Sequence, residues 1–273
     1  MQTIIVPVDF SKAAVNAAYY ACDIAMLVNA SVILMHTVVT PVTISEVPVP
    51  YDYEQAIADA RREIALLKGW LEKYTNDKLV ITTRITAGGV LGEVKQLAED
   101  VQPLAIVMAA QEVGAVEALL LGSYTQVIAN ELDYPLIVVP HEVHYRQIRK
   151  IGLACDMEDV DKTLPVKAIN NLLQYIKAPL EVFYVSKPGH EKPEDVLQGS
   201  VTIQNELGKY HPDIHIQEYK DVEGGIYEFV RANDIDLLLV VFKDRNFPES
   251  IFHRSVHKKL LVHTTVPLIL LHK

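Results

Sequence analysis

Cysteine is scarce. Cys22 and Cys155 are the only two in 273 residues. Two are too few for a disulfide framework, so any stable core must come from apolar packing. Each reads as a small buried thiol, one on a predicted helix and one in a predicted strand. Positive charge is also short: 25 Lys and Arg stand against 35 Asp and Glu, a net charge of −10. General nucleic-acid binding needs a basic footprint, and this balance excludes it. No apolar run approaches the roughly 18–20 residues that span a bilayer. No signal-peptide pattern precedes the first predicted strand. The expectation is a cytoplasmic, soluble protein with no membrane partner.

Apolar mass and repetition are what the chain does have. Half of the residues are hydrophobic, enough for two sizeable cores, and the length suits two ordinary domains. Residues 119–140 read LLLGSYTQVIANELDYPLIVVP, and residues 251–272 read IFHRSVHKKLLVHTTVPLILLH. Ser123 and Ser255 are 132 positions apart, as are Pro135 and Pro267, and Gly92 and Gly224. That period means two copies of one domain rather than a solenoid of short units. The predicted copies are 1–144 and 145–273. Asp9 and Asp156 are 147 apart, so the first copy is 15 residues longer, mostly within 40–57. Each copy serves as a control for the other.

Short β-branched runs predict strands at 4–10, 31–39, 79–86, 104–110 and 135–140 in the first copy. In the second they fall at 150–156, 180–186, 214–220, 236–242 and from Pro267 onward. Helical spacing predicts helices between them, including Ser11 to about Val28, 54–75, Glu93–Asp100 and 119–132. In the second copy the helices are predicted at 161–176, 194–210, 224–233 and 251–263. Gly88 and Gly89 turn the chain, and 40–50 reads as loop. Strands alternating with helices give a parallel sheet covered on both faces, and right-handed crossovers favour a doubly wound α/β fold. Ligands of such sheets bind at the carboxyl ends of the strands, where strand order reverses. Asp9 and Asp156, each ending its copy's first strand, are expected to face that crevice.

These residues resemble the universal stress protein family. The matching features in the first copy are a first strand ending V-x-V-D, a second strand ending LMHTVV, a short Gly-led helix, AIVMAA, Leu-Leu-Gly-Ser and a Pro-led last strand. The resemblance covers essentially the whole chain, the second copy mainly through its alignment to the first. It implies two five-stranded domains of the adenine nucleotide alpha hydrolase-like type. It also implies pairing through their last strands, Leu136–Val139 against Leu268–Leu271, as a pseudo-dimer within one chain.

The ATP-binding branch of that family carries G-x2-G-x9-G-[ST] after strand four, because glycine backbones approach a triphosphate closely and their amides cradle its oxygens. Here Ala109 and Glu112 fall at the first two glycines, and only Gly122 and Ser123 remain. In the second copy the positions hold Val241, Asp244 and Arg254, with Ser255 retained. A carboxylate ~4 Å from a phosphate charge costs about 4 kcal/mol at an effective dielectric of 20, on the order of a thousandfold in affinity. The resemblance assigns Asp9 and Val38 to the nucleotide crevice, together with Ala109, Glu112, Gly122 and Ser123 as its vestige. An acid ending a central strand can also serve only to cap the next helix.

Other candidates are weaker. From Lys243 to the end there are six Lys and Arg against two acids, a local charge of +4. Arg245, Arg254, Ser255 and Lys258 fall where the first copy would hold phosphate, beside a predicted helix N-terminus. They form a candidate anion site. His253 and His257 lie four apart, but Arg254, Lys258 and Lys259 oppose a dication, so no metal site is expected. Ser123 and Ser255 lack the G-x-S-x-G context of a nucleophile and read as helix caps. The expectation is a non-catalytic stress-linked binding or regulatory protein without a cofactor, acting through a small-molecule ligand or a protein partner. Two alternatives stay open: ATP binding with weak ATPase activity through Asp9, Gly122 and Ser123, and anionic-metabolite binding through the basic set. Assembly into a homodimer also stays open.

Overall fold

Continuous β-branched runs have no polar face to offer water, so their strands are stable only when both sides of the sheet are covered. The computed structural model describes residues 2–39, 52–110, 124–189, 193–242 and 265–272. Among them one ten-stranded sheet runs the length of the molecule. Its first half holds β1 (Thr3–Pro7), β2 (Ser31–Val38), β3 (Ile81–Ala87), β4 (Ala105–Ala109) and β5 (Leu136–Val139). Its second half holds β6 (Ile151–Ala154), β7 (Leu180–Ser186), β8 (Asp213–Glu218), β9 (Leu237–Phe242) and β10 (Leu268–His272). The order is β3-β2-β1-β4-β5-β10-β9-β6-β7-β8, so the halves mirror each other about a central seam.

Pairing is parallel within each half and antiparallel at the seam. There Leu268 faces Val138, Ile269 faces Ile137, and Leu270 faces Leu136. All six are at most 2% exposed. Two last strands that would each be an apolar open edge thus cover one another, which removes an aggregation liability. The two-residue period divides the seam between two cores. Ile137 and Ile269 join the cluster on one sheet face, and Leu136, Val138, Leu268 and Leu270 join the cluster on the other. Each cluster contains residues of both halves, so the seam is packed as an interior.

Helix α1 (Lys12–Val28) begins where the sequence places it. Ser11 Oγ accepts the Ala14 N–H at 3.2 Å, and Asn29 closes the helix in the left-handed conformation at φ 54°. Its buried face is built largely of alanine, which lets it lie close to the sheet. Ser11→Ala is expected to lose about 1 kcal/mol, read as a lower urea midpoint at unchanged slope. An unmoved midpoint would mean that the cap is not made in solution. α2 (Tyr53–Tyr74), α3 (Val90–Val101) and α4 (Tyr124–Glu131) complete the described helices of the first half. Gly88, at φ 141°, makes the turn before α3 that a side chain would strain.

The second half repeats this plan with one departure. The helix expected over 161–176 is two, α5 (Val160–Thr163) and α6 (Val166–Leu173). Pro165 sits at the break, as the N-cap of α6. Proline supplies no N–H and its ring crowds the preceding turn, so the helix restarts after it. α7 (Pro193–Leu207) and α8 (Val222–Ala232) follow. The helix expected over 251–263 lies outside the described residues. Among the described residues no helix is long and apolar enough to cross a membrane.

Candidate functional site

Strand order reverses at β1, whose neighbours β2 and β4 leave toward opposite sides. The carboxyl ends of these three strands open a crevice of about 1260 Å³. Its floor includes Val8, Met35, Val38, Met108 and Ala109, and its walls are the start of α1 and the first half of α2. This is the position that the doubly wound fold reserves for a ligand.

The turn after β1 is locally determined. Asp9 is exposed, and its Oδ1 accepts the Ser11 N–H at 3.0 Å. Phe10 is held at φ 63°, a region that aromatic residues seldom enter. Its ring stacks on His36 with centroids 4.5 Å apart and planes 29° from parallel. His36 Nδ1 donates to the Val8 carbonyl at 2.7 Å, which leaves Nε2 as the acceptor of the neutral ring. Asp9, Phe10 and His36 all line the crevice.

The electrostatics follow from the lining. Asp9, Asp59 and Glu63 supply three carboxylates, and Lys12 is the one Lys or Arg among the described lining residues. Asp59 and Glu63 are one turn apart on α2 and share a face. Arg62 partly offsets them, with Nη2 3.0 Å from Asp59 Oδ1 and Nε 3.9 Å from Glu63 Oε1. Its side chain is 64% exposed, so these pairs are weak.

Of the residues expected at a nucleotide site, Asp9, Val38 and Ala109 come together here. Val38 is buried at the end of β2. Ala109 is the last residue of β4, in register with Val139, and its carbonyl accepts the Thr125 hydroxyl at 3.3 Å. Glu112, Gly122 and Ser123 lie outside the described residues. So do Arg245, Arg254, Ser255 and Lys258. The residue pattern did not single out Lys12, Asp59 or Glu63. The four-residue spacing of the two acids on one predicted helix was the available signal. Phe10 carried none, because its backbone conformation comes from the turn.

Among the described residues the second half differs at the equivalent place. Asp156 makes the same turn bond, its Oδ1 accepting the Glu158 N–H at 3.1 Å, but it is only 5% exposed. Asp156 is thus buried where Asp9 is exposed. The helix α7 also differs here from its counterpart α2. Aligned at the 132-residue offset, Val196, Gly199 and Ile203 stand where α2 has Ile64, Leu67 and Leu71, all of them buried. Gly199 brings α7 against the turn after β6, where a Cβ would meet the Met157 carbonyl oxygen at 2.7 Å. Met157, the counterpart of Phe10, is 1% exposed.

Neither cysteine is placed for chemistry. Both are buried, and burial pushes the Cys22 thiol up to about 12, so it holds its proton at neutral pH.

The universal stress protein family model matches residues 1–140. No curated protein matches the chain. Among solved structures, a universal stress protein from Archaeoglobus fulgidus is similar at a TM-score of 0.75 and 13% identity, covering 99% of this chain and 96% of that one. A functionally unknown protein from Pseudomonas aeruginosa is similar at 0.63 and 11%, covering 100% of this chain and 92% of that one. At such identities the likeness concerns the fold, which these chains share over nearly their whole matched length. With its first 140 residues matched by the family model, the chain belongs to the universal stress protein family.

Proposed function

We propose that this chain is a non-catalytic binding and regulatory protein of the universal stress type. In this reading residues 1–144 and 145–273 are its two domains, the first-half crevice is its ligand site, and ATP is not held there in the manner of the family's ATP-binding branch. The charge of the crevice carries the reading. Three carboxylates and one ammonium line its described part. A triphosphate entering such a site meets like charge where it needs donors. Ala109, at the position of the first loop glycine, belongs to the sheet ladder. Crevice binding of ATP with slow hydrolysis is the second reading, favoured by one observation, the exposed Asp9 on the crevice floor.

Turnover of labelled ATP with Mg²⁺ separates the two. The proposal expects no hydrolysis above buffer for either the native chain or Asp9→Ala. Turnover in the native chain that disappears in Asp9→Ala would establish the second reading. The basic set Arg245, Arg254, Ser255 and Lys258 remains an independent candidate for an anionic metabolite in the second half.

A further inference from the structure

We propose that the first-half crevice takes an aliphatic diamine or polyamine, a ligand whose ammonium groups are separated by apolar methylenes. This rests on the reading of the crevice as the ligand site and names the chemistry that fits it.

The fold does not require the opening. In the second half the described residues at the equivalent place pack tightly: α7 approaches the turn after β6 through Gly199, and Asp156 and Met157 are buried. The first half places Leu67 at the matching helical position and keeps about 1260 Å³ open. An exposed acid and a wide helix–turn gap in one copy are features of that copy, and the crevice lining then decides what enters.

Three properties of the lining agree on the ligand. Its sign is negative: Asp9, Asp59 and Glu63 outnumber Lys12. Its acids are distributed, Asp9 on the turn after β1 and the other two on α2. Among the described residues no three His, Cys, Asp or Glu side chains are grouped to hold a metal ion. A single compact cation therefore cannot satisfy all three carboxylates, whereas a flexible chain of spaced ammonium groups can. The surface between the acids is apolar, with Val8, Phe10, Val38 and Met108. Methylenes pack on such a wall while the charged heads reach the carboxylates, as lysine stems do on protein surfaces. The Phe10 ring offers a face to an ammonium as well. Arg62 competes internally for Asp59 and Glu63, and Gln55 Nε2 also donates to Asp59 Oδ1 at 2.9 Å; both contacts are exposed, so a ligand displaces them at small cost.

The test is calorimetric titration with spermidine at about 150 mM salt, where loose attraction to an acidic protein is screened. Three chains are compared: the native protein, the crevice variant Asp59→Asn/Glu63→Gln, and a control of equal net charge, Glu99→Gln/Asp100→Asn. The control sites are on α3, which packs on the opposite sheet face. The expected result is saturable binding at one site per chain, weakened tenfold or more in the crevice variant and unchanged in the control. Absence of saturable binding to the native chain, or equal weakening in both variants, overturns the proposal. ATP titrated in parallel distinguishes the failures. If neither ligand binds, the polyamine falls and the exclusion of triphosphate stands. Micromolar ATP binding overturns both.

Discussion

Ile269→Asp is expected to unfold the chain under conditions in which the native protein is folded. Ile269 is 2% exposed and pairs in register with Ile137, itself 1% exposed, at the centre of the antiparallel seam. Both belong to a core cluster drawn from the two halves. A carboxylate placed there has no partner, and a lone buried charge costs about 3–5 kcal/mol, in addition to the lost isoleucine packing. Most domains have only about 5–15 kcal/mol to lose. The milder Ile269→Ala should cost about 2–5 kcal/mol. Combined with Ile137→Ala, it should depart from additivity by about 0.5–3 kcal/mol, because the two side chains pack in one core. Urea unfolding followed by circular dichroism reads each value. A folded Ile269→Asp chain with the native midpoint would mean that the halves do not meet through β5 and β10 in solution.

The second large effect is expected at Gly199. Leucine is the residue that the sister helix carries there, at Leu67, so repeat symmetry alone suggests that Gly199→Leu is harmless. The structure says otherwise. A first side-chain atom would already lie 2.7 Å from the Met157 carbonyl oxygen and 3.0 Å from both Met157 Sδ and Val160 Cγ2. The nearest of these is backbone and cannot rotate away. Overpacking of this kind costs about 1–3 kcal/mol, and leucine should fall at or above the upper end. Alanine should lose less, because replacing glycine within a helix returns up to about 1 kcal/mol. The check is the urea midpoint of Gly199→Leu together with the rate at which a thiol reagent reaches Cys155, the residue before Asp156 and only 3% exposed. Lower stability with faster labelling is the expected pair. Native stability and native labelling would show that α7 does not seal the second-half site.

The contrast between these two positions marks what the sequence could reveal. Leu136–Val139 and Leu268–His272 are recognisable as strands because short, continuous, Pro-led apolar runs have few other fates. Their pairing was expected from the family resemblance and is found in register. The crevice position was legible too, since an alternating strand–helix order places it at the strand ends around Asp9. The close approach of α7 to the turn after β6 was not legible. It depends on a glycine 42 residues beyond Met157, and glycine in a helix ordinarily signals weakness rather than contact. The break at Pro165 was hidden by apolar spacing that continues through it, although the proline itself marked the place. The left-handed Phe10 follows from a three-residue turn and a ring stack with His36, and both require the folded chain.

The most direct test of the proposed site is calorimetric titration of the purified chain with ATP and Mg²⁺ at physiological salt. The acidic crevice predicts no heat of binding up to millimolar ATP. A micromolar dissociation constant would contradict the account, because it would mean that a triphosphate is held despite the carboxylates that line the crevice.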